Sequence, residues 1–235
     1  MRLQLSQLVI TPENESTAKR LIEVTQTHDQ PEQLYLTGPA NSGKSTFMEA
    51  RGAEKDLLST KHALYCHASE ILVMLSIDNE NADNFLNRIG EVEVLFIDDV
   101  EDFLTNEKIG VKACQLLIES RAKQGLDTIV AAQTPLLQLD GNLQDVFSGF
   151  EEICLPALSE QGLIDLARIF AAHYVHAKGE EKAHSLSDEA IAYLGKKFQD
   201  SPKDMAPAVQ FLVTVADFPE GHIITVEEAE ASLQL

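Results

Sequence analysis

An α/β architecture, with a parallel sheet covered by helices and a small all-helical domain after it, follows from three features of this 235-residue chain. The string Gly38-Pro39-Ala40-Asn41-Ser42-Gly43-Lys44-Ser45 fits the pattern G-x-x-x-x-G-K-S without a mismatch. Short apolar runs alternate with helical patterns up to residue 155, which implies successive βα units and parallel strands. At Pro156 the pattern changes, and from Ser159 onward helical periodicity prevails. The chain thus divides into an α/β domain, residues 1–155, and a helical domain, residues 156–235.

In chain order, Ser16–Thr27 predicts a helix and Leu34–Thr37 a short buried strand. Gly38–Ser45 is the loop that follows, and Lys44–Gly52 opens the next helix. A strand, a glycine-bounded loop and a helix N-terminus aim a row of backbone N–H groups at one spot. Such a spot binds anions, because the amides are unpaired and the helix dipole is positive there. Lys44 would reach the β- and γ-phosphates of a nucleotide, and the Ser45 hydroxyl would help hold Mg²⁺. Further strands are expected at Ala63–His67, Val92–Asp98, Thr128–Ala132 and Glu152–Leu155, with helices at Ser69–Ser76, Ala82–Ile89 and Glu107–Gln124. Beyond Pro156, helices are expected over Ser159–Ala177, Ser187–Phe198, Met205–Ala216 and Val226–Leu233. Ser159 and Ser187 open the first two, and Ser187-Asp188-Glu189 is a good N-terminal start. His176–Ser185, rich in Lys, Glu and Gly, predicts an exposed loop. Ile223-Ile224-Thr225 is long enough for a brief strand pairing.

Val92-Glu93-Val94-Leu95-Phe96-Ile97-Asp98-Asp99 is an apolar strand ending in two carboxylates. Phosphoryl-transfer sites anchor Mg²⁺ with a carboxylate at the C-terminal end of a neighbouring strand. Asp98 suits that role, and Asp99 would polarise an attacking water. An ordinary buried strand followed by an acidic turn, with Glu101 and Asp102 next, gives the same string, and the phosphate loop favours the functional reading. Thr128-Ile129-Val130-Ala131-Ala132 ends in Gln133 and Thr134, either of which would sense a γ-phosphate in a P-loop ATPase with an inserted strand. A polar strand exit before Pro135 has the same sequence.

Composition narrows the function. The net charge is −20, from 18 Lys and Arg against 38 Asp and Glu. The acidity is spread along the chain: residues 156–235 hold 13 acidic and 6 basic residues, and 25 and 12 precede them. Sequence-independent DNA binding relies on Lys and Arg neutralising phosphates, so direct DNA contact should be weak or absent. No apolar run approaches a membrane span, and the polar N-terminus is no secretory signal. Cys66, Cys114 and Cys154 lie far apart in apolar stretches, which predicts three buried free thiols and a reducing cytoplasm.

With these pieces assembled, the chain resembles the DnaA branch of the AAA+ ATPases over nearly its whole length. Leu8-Val9-Ile10-Thr11-Pro12-Glu13-Asn14 resembles the family's lead-in segment, which packs near the adenine, so Pro12 and Asn14 become implied nucleotide contacts. Gly38 to Ser45, with Thr46 after it, matches the phosphate loop. Leu64-Tyr65-Cys66-His67-Ala68-Ser69-Glu70 is similar to the second strand and its turn. Ile97-Asp98-Asp99-Val100-Glu101-Asp102-Phe103 is close to the family's double-aspartate stretch. The resemblance implies a five-stranded parallel AAA+ sheet, a helical lid, ATP or ADP with Mg²⁺ as ligands, and a nucleotide-dependent homo-oligomer. The given sequence ends at Leu235 without a counterpart of the DnaA helix-turn-helix domain, so the expected relative is the short regulatory (Hda) type, acting on a DnaA-type initiator and the sliding clamp. Such proteins carry a clamp-binding peptide, to which Gln4-Leu5-Ser6-Gln7-Leu8-Val9 is similar, with Gln4, Leu5 and Leu8 as its contacts. A helicase loader of the DnaC type, or another DNA-remodelling ATPase, is the alternative. It would need a basic channel and an arginine finger.

Three departures mark this chain off. Leu143-Gln144-Asp145-Val146-Phe147-Ser148-Gly149-Phe150 matches the segment that carries the family's arginine finger but contains no Arg or Lys, and Gly149 falls at the finger position. Lys203 stands where relatives place a lid arginine that contacts nucleotide; it keeps the charge and loses the bidentate fork. Gln133 replaces an acidic or Asn sensor. The expected activity is at most slow ATP hydrolysis.

Overall fold

The computed structural model describes residues 15–17, 19–20, 31–58, 63–77, 79–179 and 183–234. They fall into two compact units, one reaching Ala157 and the other beginning at Leu158. Residues 15–17 and 19–20 are helical. The remainder of the first unit runs β1 (Gln33–Thr37), α1 (Lys44–Leu58), β2 (Ala63–His67), α2 (Ala68–Ile77), α3 (Asn79–Gly90) and β3 (Val94–Asp98). A 3₁₀ helix over Val100–Asn106 then leads into α4 (Glu107–Gln124) and β4 (Asp127–Ala132). A second 3₁₀ turn, Leu136–Gln138, precedes α5 (Gly141–Val146) and β5 (Glu151–Cys154).

All five strands are parallel, in the order β2-β3-β4-β1-β5. The central strands carry apolar residues on both faces because both sides of the sheet are covered, as parallel sheets require. Successive side chains alternate between the faces. Leu34, Leu36, Val94, Phe96, Ile129 and Ala131 pack with Phe47 and Met48 of α1. Tyr35, Leu95, Ile97, Val130 and Ala132 point the other way, into a core with Phe103, Leu117 and Phe147. β4 lies between β1 and β3, so the phosphate loop and the aspartates that end β3 flank the exit of an inserted strand.

The α4 helix ends where its sequence says it should. Gly125 takes a left-handed φ of 66°, and Leu126 N–H donates to the Arg121 carbonyl at 3.1 Å, closing the last turn. Arg121 itself is fully buried. Its guanidinium donates to Thr128 Oγ1 (2.9 Å) and to the carbonyls of Ile89 (3.1 Å), Val92 (2.8 Å) and Asp127 (2.5 Å). Burial pulls it down to about 10, with nearby Asp127 opposing, so it stays charged at neutral pH. A buried ion pair joins Arg51 of α1 to Glu32 at 3.0 Å.

The second unit comprises α6 (Glu160–Lys178), β6 (Ser185–Leu186), α7 (Asp188–Lys197), α8 (Pro202–Thr214), β7 (Ile223–Ile224) and α9 (Val226–Ser232). Ser159 Oγ accepts from Gly162 N–H and Ser187 Oγ from Ala190 N–H, each at 3.1 Å, so both serines cap their helices. Thr225 and Glu228 form a reciprocal capping box on α9. Leu163, Ala167, Ile191, Leu194, Val209 and Leu212 form the core of this unit.

Several expectations need correction. The helix placed at Met205–Ala216 begins at Pro202, because proline at N1 has a preset φ and lacks only an amide hydrogen that would be unpaired there anyway. The loop expected over His176–Ser185 is not uniformly exposed: α6 runs to Lys178, Ala183 and His184 are buried, and Ser185 pairs in β6. His184 N–H donates to the Val213 carbonyl at 3.0 Å, which holds that stretch against α8. Cys66 and Cys114 are buried, but Cys154 is exposed. It lies on edge strand β5, where only Ile153 faces the core.

Candidate nucleotide-binding site

The phosphate loop is shaped by two neighbouring strands. Leu155 N–H donates to the Thr37 carbonyl at 2.7 Å, bringing the exit of β5 against the start of the loop. A Cβ on Gly38, whose φ is 151°, would lie 2.1 Å from the Leu155 carbonyl oxygen, so only glycine fits. Asn41 takes a left-handed φ of 63°, which Asn tolerates better than most side chains. Phe47 N–H donates to the Gly43 carbonyl at 2.9 Å, which starts α1 at the end of the loop.

Lys44 is buried and folds back over the loop, its Nζ donating to the carbonyls of Gly38 (2.7 Å) and Pro39 (2.9 Å). Burial lowers its pKa from the usual lysine value, while Asp98, Glu101 and Asp99 oppose that shift. Ser45 Oγ and the Tyr65 hydroxyl each lie 2.5 Å from Asp98 Oδ2, and Asp99 N–H donates to Asp98 Oδ1 at 3.0 Å. Loop and double aspartate are therefore brought together despite the strand between them. Asp99 has a left-handed φ of 53°, and its Oδ2 stands 3.4 Å from His67 Nδ1. Burial raises the Asp99 pKa, Asp98 adds to the rise, and His67 opposes it.

The residues suit a magnesium–nucleotide ligand. Ser45 and Asp98 offer hard oxygen donors at adjoining positions, as Mg²⁺ requires. At the foot of the loop, Thr37 Oγ1 and Ser42 Oγ are buried without a hydrogen-bond partner. Gly38, Pro39, Ala40, Asn41, Ser42 and Gly43 form the loop, and Lys44, Ser45 and Thr46 the first turn of α1. Gln133 is exposed; its backbone N–H donates to Glu101 Oε1, as does Thr134 N–H at 2.7 Å. Glu101 thereby ties the turn after β3 to the exit of β4. Gly149 is exposed in the turn before β5. Lys203 is exposed in the first turn of α8. Gln4, Leu5, Leu8, Pro12 and Asn14 lie outside the described residues.

Sequence reasoning missed three side chains here: Tyr65, His67 and Glu101. The signal for two of them was strand periodicity. Tyr65 and His67 are two apart on β2 and so share a face, and His67 stands in register with Asp98. Glu101 gave no such signal, because its partners are backbone amides thirty-odd residues away.

No protein-family model matches the chain. In sequence it is similar to the chromosomal replication initiator protein DnaA of Bacteroides thetaiotaomicron, 23% identical over 179 residues, which is 73% of this chain and 36% of that protein. The chain spans about a third of the length of the curated relatives it matches. In fold it matches domain III of Thermotoga maritima DnaA with a TM-score of 0.78 at 16% identity, covering 98% of this chain and 95% of that one. AMPPCP-bound DnaA from Aquifex aeolicus matches with a TM-score of 0.69 at 16% identity, covering 87% of this chain and 64% of that one. No helix among the described residues is long and apolar enough to cross a membrane. The chain is thus similar in sequence to the DnaA initiators and shares the fold of DnaA domain III.

Proposed function

We propose that this chain is a nucleotide-dependent switch of the DnaA/Hda type, which regulates initiation of chromosomal replication through contacts with a DnaA-type initiator and the sliding clamp. The observation that carries the reading is the Lys44–Ser45–Asp98 constellation, in which the 2.5 Å contact joins the phosphate loop to the carboxylate that would anchor Mg²⁺. ATP or ADP would lay its phosphates across the loop amides, displacing the Lys44 ammonium from the Gly38 and Pro39 carbonyls. Ser45 would hold the cation, and Asp98 would orient it. The AMPPCP bound by the Aquifex relative supports this assignment.

Hydrolysis by this chain would be slow. Asp99 would polarise water, and Gln133 would report on the γ-phosphate. The segment 143–150 offers no cation to a neighbouring subunit, and a missing arginine finger costs about 10³–10⁵ in rate. The charge of −20 favours protein partners over direct DNA contact in a cytoplasmic setting. The test is retention of purified initiator, clamp and replicative helicase on the immobilised chain, with ATP, ADP or no nucleotide. Initiator or clamp retained in a nucleotide-dependent way is expected. Helicase alone would favour the loader alternative, and retention indifferent to nucleotide would overturn the switch.

A further inference from the structure

The ends of β2 and β3 bring an imidazole to the two aspartates. Among the described residues, His67, Asp98 and Asp99 are the group of three that could hold a metal ion, their ligand atoms all within 4.8 Å of one another. Backbone geometry places all three residues side by side. His67 is paired with Asp98 across the parallel ladder. The His67 N–H donates to Glu70 Oε2 at 2.9 Å, which holds the turn into α2. The left-handed backbone at Asp99 turns its carboxylate toward the ring, with Oδ2 3.4 Å from Nδ1. The Tyr65 ring packs edge-on to the imidazole at 5.5 Å between centroids.

Chemistry separates this group from the magnesium position at Ser45. Mg²⁺ takes oxygen donors in near-ideal octahedra and seldom an imidazole. One nitrogen and two carboxylates instead suit first-row transition ions, with affinity rising from Mn²⁺ toward Cu²⁺. Adjacent ligands on such an ion lie about 3 Å apart, given metal–ligand bonds of roughly 2.0–2.2 Å. Rotation of exposed side chains closes the present spacing, since His67 and Asp99 are 42% and 45% exposed.

We propose that His67, Asp98 and Asp99 form a site for a divalent first-row transition ion beside the phosphate loop. It shares Asp98 with the proposed nucleotide site but does not depend on nucleotide, so the two can fail separately. Occupation would draw the Asp98 carboxylate toward β2 and set its position before Mg²⁺–nucleotide arrives.

The experiment is Mn²⁺ titration of the nucleotide-free full chain, followed by electron paramagnetic resonance, with Mg²⁺ as competitor. One Mn²⁺ per chain is expected to bind, showing echo modulation from a coordinated nitrogen. His67→Ala and His67→Gln should each abolish that modulation and weaken binding at least about ten-fold, the loss that even an outer partner's removal causes. Equal Mn²⁺ affinity in the unmodified chain and both variants, or bound Mn²⁺ without nitrogen coupling, would leave only an ion atmosphere around an acidic surface and overturn the site. The nitrogen signal of the unmodified chain requires no variant to fold. Nucleotide titrated separately, without Mn²⁺, tests the phosphate loop on its own.

Discussion

Asp98 is the most heavily engaged side chain of the site. One of its oxygens faces the Ser45 and Tyr65 hydroxyls and the other accepts the Asp99 amide. Tyr65→Phe keeps the ring and removes one charge-assisted hydrogen bond, a type worth about 1.5–3 kcal/mol. We expect it to weaken Mg²⁺-dependent nucleotide binding about ten-fold, measured by titrating Mg²⁺ at fixed nucleotide, and to lower the thermal midpoint by several degrees. Arg121 presents the opposite case, a buried charge remote from the phosphate loop. Arg121→Ala should cost about 3 kcal/mol or more in urea unfolding, because several carbonyls lose their donor inside the core. The sequence made Lys44, Ser45 and Asp98 legible, since each sits at a fixed offset from a strand end. Arg121 was not legible: in a helical pattern an Arg near the C-terminus reads as a solvated charge, and only the tertiary fold reveals the carbonyls around it.

Caps and periodicity carried most of the secondary structure. Glu107–Gln124 and Ala63–His67 follow directly from apolar spacing closed by Gly125 in one case and alternation in the other. Ser159 and Ser187 acquire the amide partners their positions imply. Ser187→Ala should destabilise the helical unit by about 1 kcal/mol, read as a lowered thermal midpoint. What escaped was context. The 3₁₀ helix at Val100–Asn106 hides in an acidic turn, and buried His184 hides in a charged stretch, because its burial is set by the β6–β7 pairing rather than by neighbours in sequence. The α9 capping box gives an acid-dependent prediction. Hydrogen bonds from Thr225 N–H and from His222 hold the Glu228 carboxyl below its usual range. A depressed carboxyl pKa adds stability above the unfolded value and loses it as pH falls through the folded one. Thermal melts of the unmodified chain and Glu228→Gln should differ at neutral pH and converge below about pH 4.

At the scale of the whole molecule, strand order does what no single motif could. Inserting β4 between β1 and β3 sets the exits of three strands around the phosphate loop, supplying Ser45, Asp98 and the Gln133 turn from distant parts of the chain. Alternating elements made the parallel sheet readable, whereas the order of its strands came from the three-dimensional structure. On the proposed reading partner choice is a matter of protein surfaces, and deleting Met1–Ser6 should reduce retention on immobilised sliding clamp, whereas equal retention of both chains would reject Gln4, Leu5 and Leu8 as the contact. Switching of the chain depends, on the proposed function, on the Gly38–Ser45 loop gripping a nucleotide. Calorimetric titration of ATP and ADP with Mg²⁺ into the unmodified chain and Lys44→Ala tests it most directly. One site per chain that Lys44→Ala abolishes is expected; equal affinity in both proteins, or no binding to either, would show that the loop does not hold nucleotide.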